Sequence, residues 1–321
     1  MKIAILDDYQ DVVKSLDCFA LLKGFEVKVF TRSFQSESEL AAALQDYEGL
    51  VLIRERTAIT RSLLAALPGL KVISQTGKVS RHIDLQACHD QGVMVVEGAG
   101  SPVAPAELCW ASIMAASRHL VPYVENFRQD RWQDSGTLGL GRALAGLTLG
   151  IWGYGKIGQR IARYARAFEM NVLVWGRQPS RDKARADGLQ AASSQVDFFS
   201  AADILTLHLR LVPQTQRCVT AADLGRMKPS ALFVNTSRAE LVEKDALQRA
   251  LRAGRPGFAA VDVYEHEPVS AAEEPLLHMP NVLCTPHLGY VEKKSYALYF
   301  RLAFENIVST LNGQPQNLVK P

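Results

Sequence analysis

The sequence predicts an α/β protein made of two doubly wound parallel-sheet domains with a cleft between them. Three observations carry that expectation. A chain of 321 residues is long for one hydrophobic core and comfortable for two. Short, unbroken apolar runs alternate with amphipathic helical stretches along both halves, the pattern of parallel strands covered by helices on both faces. A segment rich in small residues and proline, GAGSPVAP, separates the two series.

Taken in order, the first series places strands at KIAILD, FEVKVF, GLVLIR, LKVIS and VMVVE. Among the helical stretches between them is SESELAAALQDY, where Ser36 and Glu39 have the spacing of a capping box. From Pro105, PAELCWASIMAASRHLVPYVENFRQDRW predicts one long helix. A glycine-rich loop, DSGTLGLGRALAG, then leads into the second β/α series, from about Thr148 to Pro286. The chain closes on EKKSYALYFRLAFENIVSTLNG, one helix expected to pack back onto the first domain. The expected domains are therefore 1–103 completed by 288–321, and 104–287.

Composition removes several function classes. A net charge of +3, without a dense Lys/Arg block, gives no electrostatic footprint for nucleic acid or a membrane surface. Five scattered cysteines with no C-x-x-C pair argue against a zinc site or a disulfide framework and fit a reducing cytoplasm. No metal-ligand arrangement of histidines appears. The first strand begins within two residues of Met1, leaving no room for a signal peptide, and no apolar run approaches a membrane span.

The second series opens with LTLGIWGYGKIGQRIA. Gly153, Gly155 and Gly158, with Tyr154, Lys156 and Ile157 between them, spell G-x-G-x-x-G at a strand-to-helix junction. The first glycine permits the tight turn, the second admits a pyrophosphate to the backbone, and the third lets the helix pack closely. That is a Rossmann-like dinucleotide fingerprint. The ribose-binding acid belongs 18 residues after Gly158, where Gly176 and Arg177 stand instead. Glycine removes the repulsion toward a 2′-phosphate, and arginine adds a bidentate donor. The pair points to NADP(H), with NAD(H) as the alternative; Ser180, Arg181 and Arg210 are further donors in range.

Three later segments, ALFVNTSRAELV, GFAAVDVYEHEP and NVLCTPHLGY, each deliver a titratable residue at the C-terminal end of a buried strand. They are Arg238, Glu267 and His287, with Asp262 between. Doubly wound sheets bind ligands at that edge. With the TGKVSRHID, PAEL and LHLRL segments, these motifs cover nearly the whole chain and resemble the D-2-hydroxyacid dehydrogenase family. The resemblance implies a Rossmann-like and a flavodoxin-like domain, a site in the cleft, and a homodimer. It places the catalytic arginine, glutamate and histidine on Arg238, Glu267 and His287, and the acid beside the nicotinamide on Asp262. His208 falls in a cofactor-supporting segment. Gly77, Lys78 and Val79 form the loop that offers N–H groups to a substrate carboxylate, and Arg54 is a candidate second anion anchor.

The chemistry needs those types. A planar guanidinium can bind a 2-keto acid's carboxylate and polarise its carbonyl. An imidazole can give the carbonyl oxygen its proton, and a neighbouring carboxylate favours the charged ring. Two departures stand out: Val79 replaces a usual glycine in the substrate loop, and Ala239 replaces the glycine after Arg238. The 34 residues beyond His287 leave no room for the regulatory domain of many phosphoglycerate dehydrogenases. The competing reading is a nucleotide-sensing, corepressor-like interaction protein on the same fold.

Overall fold

The computed structural model describes residues 1–321. Twelve strands form: β1 (Lys2–Ile5), β2 (Glu26–Val29), β3 (Gly49–Leu52), β4 (Val72–Gln75), β5 (Met94–Glu97), β6 (Thr148–Trp152), β7 (Asn171–Trp175), β8 (Gln190–Ala191), β9 (Ile204–Leu207), β10 (Leu232–Asn235), β11 (Phe258–Val261) and β12 (Val282–Cys284). All pair in parallel, in two sheets. The chain divides into two compact units, Met1–Ser101 with Glu292–Pro321, and Pro102–Val291. No helix is long and apolar enough to cross a membrane.

The first unit has strand order β2-β1-β3-β4-β5, the flavodoxin-like arrangement. Its inner strands are covered on both faces, β3 and β4 being buried at every residue, whereas β2, at the edge, exposes Glu26 and Lys28. The closing helix Lys293–Leu311 is capped by Glu292, whose carboxylate accepts from Lys294 and Ser295 N–H. It lies so close to the sheet that a Cβ on Gly49 would meet Ile307 Cδ1 at 2.9 Å. Ser74 Oγ reaches the Ala303 carbonyl at 2.8 Å. The Ser36–Glu39 box forms by half. Ser36 Oγ accepts from Glu39 N–H, but the Glu39 carboxylate takes the Gln35 N–H, one residue further out than a box requires.

The second unit has order β12-β11-β10-β9-β6-β7-β8. Counted from β6, this is the Rossmann order, and the order in which strands are added reverses between β6 and β9, which are themselves parallel. Phe198 and Phe199 are fully buried against Trp152, all three packed edge to face. Each such ring contributes about 1.5–3 kcal/mol by burial.

One expectation fails here. The long helix from Pro105 is two helices, Val103–Ser117 and Leu120–Phe127, broken at His119, whose φ is +51°. Pro122 is the cause: continued from Arg118, the helix would drive its ring into the Arg118 carbonyl and find no N–H to bond it. Restarting at Leu120 puts Pro122 in a first turn, where neither matters.

Candidate active site

Each functional segment of the second unit leaves the C-terminal end of a strand. After β6, Gly153 turns with φ +102°, and a Cβ there would collide with the His208 carbonyl. A Cβ on Gly158 would collide with the Gly153 carbonyl, so the helix Lys156–Ala167 can rest on the turn only because that residue is glycine. Gly155, the N-cap, has no side-chain cap, and nothing lies within 4 Å of where its Cβ would stand. The result is a turn with open space over the second glycine and a 12-residue helix whose first N–H groups lack intrahelical partners. This fits a pyrophosphate. Tyr154 turns inward, and its hydroxyl donates to Asp187 Oδ2 at 3.0 Å; burial pushes its phenol up to about 12. That bond ties the turn to the end of the helix Gln178–Ala186. Lys156 is exposed and Ile157 half-buried.

At the end of β7, Gly176 has φ +150° and lies against Ser180. Arg177, exposed, is the N-cap of the helix Gln178–Ala186. Arg181 stacks over the Trp175 ring at 4.9 Å and donates to Gln178 Oε1 at 2.7 Å. Ser180 thus lies beside the position of the missing acid, and Arg177 and Arg181 belong to the start of the helix that follows it. The φ of Gly176 has a consequence: an aspartate introduced there would be strained.

After β10, Asn235 locks the turn that presents Arg238. Its Nδ2 donates to the Arg238 carbonyl at 2.8 Å, while Ser237 N–H donates to Asn235 Oδ1 at 3.1 Å. The Arg238 Nη1 donates to the Ser237 carbonyl at 2.6 Å. After β12, His287 takes φ +51°, and its Nδ1 lies 2.6 Å from Glu267 Oε2. The other oxygen of Glu267 accepts the Tyr264 N–H at 2.9 Å. Both side chains are mostly buried, 12% and 16% exposed. With Nδ1 held by the carboxylate, Nε2 is the nitrogen left for chemistry. Tyr290 closes one side of the ring, edge on, at 5.7 Å.

Asp262 lies behind the histidine loop. It is 1% exposed, and its carboxylate turns to the histidine loop. Oδ1 accepts from Thr285 Oγ1 (2.6 Å) and Leu288 N–H (2.7 Å), and Oδ2 from Gly289 N–H (2.9 Å). Burial pushes its carboxyl up, against the pull of those bonds. Asp262 thus braces the loop that holds His287 in a left-handed turn. The same bonds carry the second unit past the expected boundary at 287, to Val291.

In the first unit, Arg54 also has a left-handed φ, +55°. Its N–H donates to Thr76 Oγ1 and its carbonyl accepts from Gln75 Nε2. A Cβ on Gly77 would collide with Arg54 Nη1, so Gly77 is what leaves room for the guanidinium, which lies 6.0 Å over Tyr299. Glu97 ties down the segment of Lys78 and Val79. Lys78 Nζ pairs with Glu97 Oε1 at 2.5 Å, and the Val79 N–H is donated to Glu97 Oε2 at 2.9 Å. The Val79 amide is therefore bonded to Glu97 and not open to a substrate carboxylate.

Sequence reading does not pick out Asn235, Thr285 or Glu97, because each acts by a hydrogen bond to a residue that only the fold brings near. His208 it does pick out; the structure sets it beside Gly153, where β6 and β9 part.

Comparison with known proteins agrees with this fold. The family model "D-isomer specific 2-hydroxyacid dehydrogenase, NAD binding domain" matches residues 110–289. A crystal structure of phosphoglycerate oxidoreductase from Vibrio cholerae superposes with a TM-score of 0.96 at 59% identity, over 98% of this chain and 99% of that one. Glyoxylate reductase of Aeropyrum pernix is 34% identical over 93% of this chain and 91% of its own. D-3-phosphoglycerate dehydrogenase of Methanocaldococcus jannaschii is 30% identical over 98% of this chain but 58% of its own length. The chain spans about half the length of such curated relatives.

Proposed function

Because the chain belongs to the D-isomer specific 2-hydroxyacid dehydrogenase family, we propose that it reduces a 2-keto acid to the D-2-hydroxy acid with NADPH, and catalyses the reverse oxidation. The 2.6 Å contact between His287 Nδ1 and Glu267 Oε2 carries this reading. It provides an imidazole paired with a carboxylate and with Nε2 available, the arrangement a carbonyl reduction needs.

A bound nicotinamide supplies the hydride. The residues do the rest. Arg238 holds the substrate carboxylate and polarises the carbonyl through its fork. His287 gives the proton at Nε2 to the carbonyl oxygen, and Glu267 compensates the positive charge of the ring before transfer. In oxidation the same nitrogen takes the proton back. Asp262 keeps His287 in register. Arg54, set in place by Gly77, is proposed to meet a second anionic group where the substrate has one, and Arg177 with Arg181 to hold the 2′-phosphate. Lys78 and Val79 shape the substrate loop through Glu97.

A panel of 2-keto acids, including glyoxylate, hydroxypyruvate and pyruvate, assayed with NADPH and NADH, tests the activity. Turnover with NADPH is expected, and dinucleotide binding without turnover of any of them contradicts it. Exchanging Arg238→Lys keeps the charge and loses the fork. A drop of roughly 10–150-fold in kcat/KM, the loss of one charge-assisted hydrogen bond, is expected; wild-type kinetics would remove Arg238 from the substrate.

The proposed assembly is a homodimer. The helix Leu120–Phe127 buries none of its residues, and Leu120, Val121, Val124, Phe127, Trp132 and Leu140 are exposed, Leu140 at 93%. Exposed apolar side chains gathered on one helix, with Trp132 against Phe127, suit an interface. Sedimentation should give the mass of two chains, and a concentration-independent single-chain mass would contradict it.

A further inference from the structure

Cys109 and Thr206, both buried, and His208, half-buried, form a polar chain that the mechanism above does not use. Thr206, on β9 and wholly buried, places Oγ1 3.3 Å from Cys109 Sγ and 3.2 Å from His208 Nε2. Cys109, on the helix Val103–Ser117, is wholly buried as well. Burial pushes the Cys109 thiol up to about 11 and the His208 imidazole down to about 3. At neutral pH the thiol therefore keeps its proton, and the ring carries a single one.

Only two proton orders connect three such groups. In one, Cys109 S–H donates to Thr206 Oγ1, and the Thr206 hydroxyl donates to His208 Nε2. In the other, His208 Nε2–H donates to Thr206, whose hydroxyl ends on sulfur. An imidazole nitrogen is a good acceptor and sulfur a weak one. The first order puts the hydroxyl proton on the better acceptor. It also leaves the sulfur lone pairs to the Thr236 hydroxyl, which faces Cys109. The ring's single proton is then on Nδ1.

The position of His208 gives that proton a use. The residue follows the last residue of β9, and its carbonyl is what excludes any side chain from Gly153. It therefore stands beside the phosphate turn where β6 and β9 part, the ligand-binding point of such sheets. We propose that Thr206, backed by Cys109, is a positioning residue that fixes His208 as the Nδ1–H tautomer, making Nδ1–H a neutral donor to an oxygen of the bound dinucleotide. The proposal rests on the dinucleotide reading of the Gly153–Gly158 turn.

Long-range proton–nitrogen correlation spectra of the cofactor-free protein, with nitrogen-labelled histidine and His208 assigned through His208→Gln, read the tautomer directly. The Nδ1–H form is expected, and an Nε2–H form overturns the proposal whether or not the enzyme turns over. Thr206→Val keeps the shape and removes the hydroxyl. It should abolish the Nδ1–H preference and weaken NADPH binding by about 3–10-fold, the loss of one neutral hydrogen bond. Weaker binding with an unchanged tautomer would mean that Thr206 is only structural, and overturns the proposal. Cys109→Ala leaves the Thr206 hydroxyl in place and should retain the tautomer. If Thr206→Val does not fold, the wild-type spectrum decides. If the wild type binds neither NADPH nor NADH, the dinucleotide reading fails, and the donor role with it.

Discussion

Replacing His287 with Ala lowers the rate of 2-keto acid reduction by roughly 10²–10⁴-fold, the usual contribution of a positioned general acid. The geometry makes the loss specific to chemistry. His287 Nδ1 is held by Glu267, and the loop behind the ring is held by Asp262 through Thr285, Leu288 and Gly289. The substitution removes the imidazole with its bond to Glu267, but the bonds of Asp262 involve no side-chain atom of His287, so the variant keeps its loop and loses the proton donor. Cofactor affinity should stay close to wild type, because the phosphate turn and Arg177 lie on other strands' ends. Steady-state kcat for keto-acid reduction, with the NADPH dissociation constant measured separately, checks both halves. Near-normal turnover of the variant at neutral pH would remove His287 from the reaction.

Replacing Arg177 with Ala weakens NADPH binding by roughly 10–150-fold and barely affects NADH. One charge-assisted hydrogen bond is worth about 1.5–3 kcal/mol, which sets that range. Arg177 caps the helix Gln178–Ala186 through backbone geometry without a side-chain bond, so its removal does not unmake the helix start. The preference should also fall as salt screens the contact. Arg181, stacked on Trp175, gives a partial substitute and holds the effect below complete loss of discrimination. Restoring an acid at Gly176 is a poor reverse test, because φ +150° strains any side chain there. Dissociation constants of both cofactors for both proteins are the measurement. Equal wild-type affinities, insensitive to Arg177, would make the Gly-Arg pair an ordinary solvated turn.

The parts legible in the sequence are those carried by local pattern. β1, β3 and β5 are mostly apolar because helices cover both faces, and the glycine turn is a local steric requirement. Arg238, Glu267 and His287 are legible as polar residues delivered by buried strands. What fails to show is set by distance along the chain. Nothing near Val79 announces that Glu97, 18 residues on, will take its amide. Nothing near Asp262 announces that its oxygens close on a loop more than 20 residues away. Cys109 and Thr206 meet across 97 residues. The break at His119 had a local signal in Pro122, outweighed by apolar periodicity that runs through it. β8, two residues long, has no pattern to detect.

The central claim is hydride transfer to a 2-keto acid with D-selective outcome. It is tested most directly by reducing a 2-keto acid substrate with NADPH deuterated at the nicotinamide C4 position and analysing the product by chiral separation and mass. The account predicts one deuterium at C2 of a D-2-hydroxy acid, with almost none formed by the His287→Ala protein. Dinucleotide oxidation without deuterium at C2, or an L product, would contradict it.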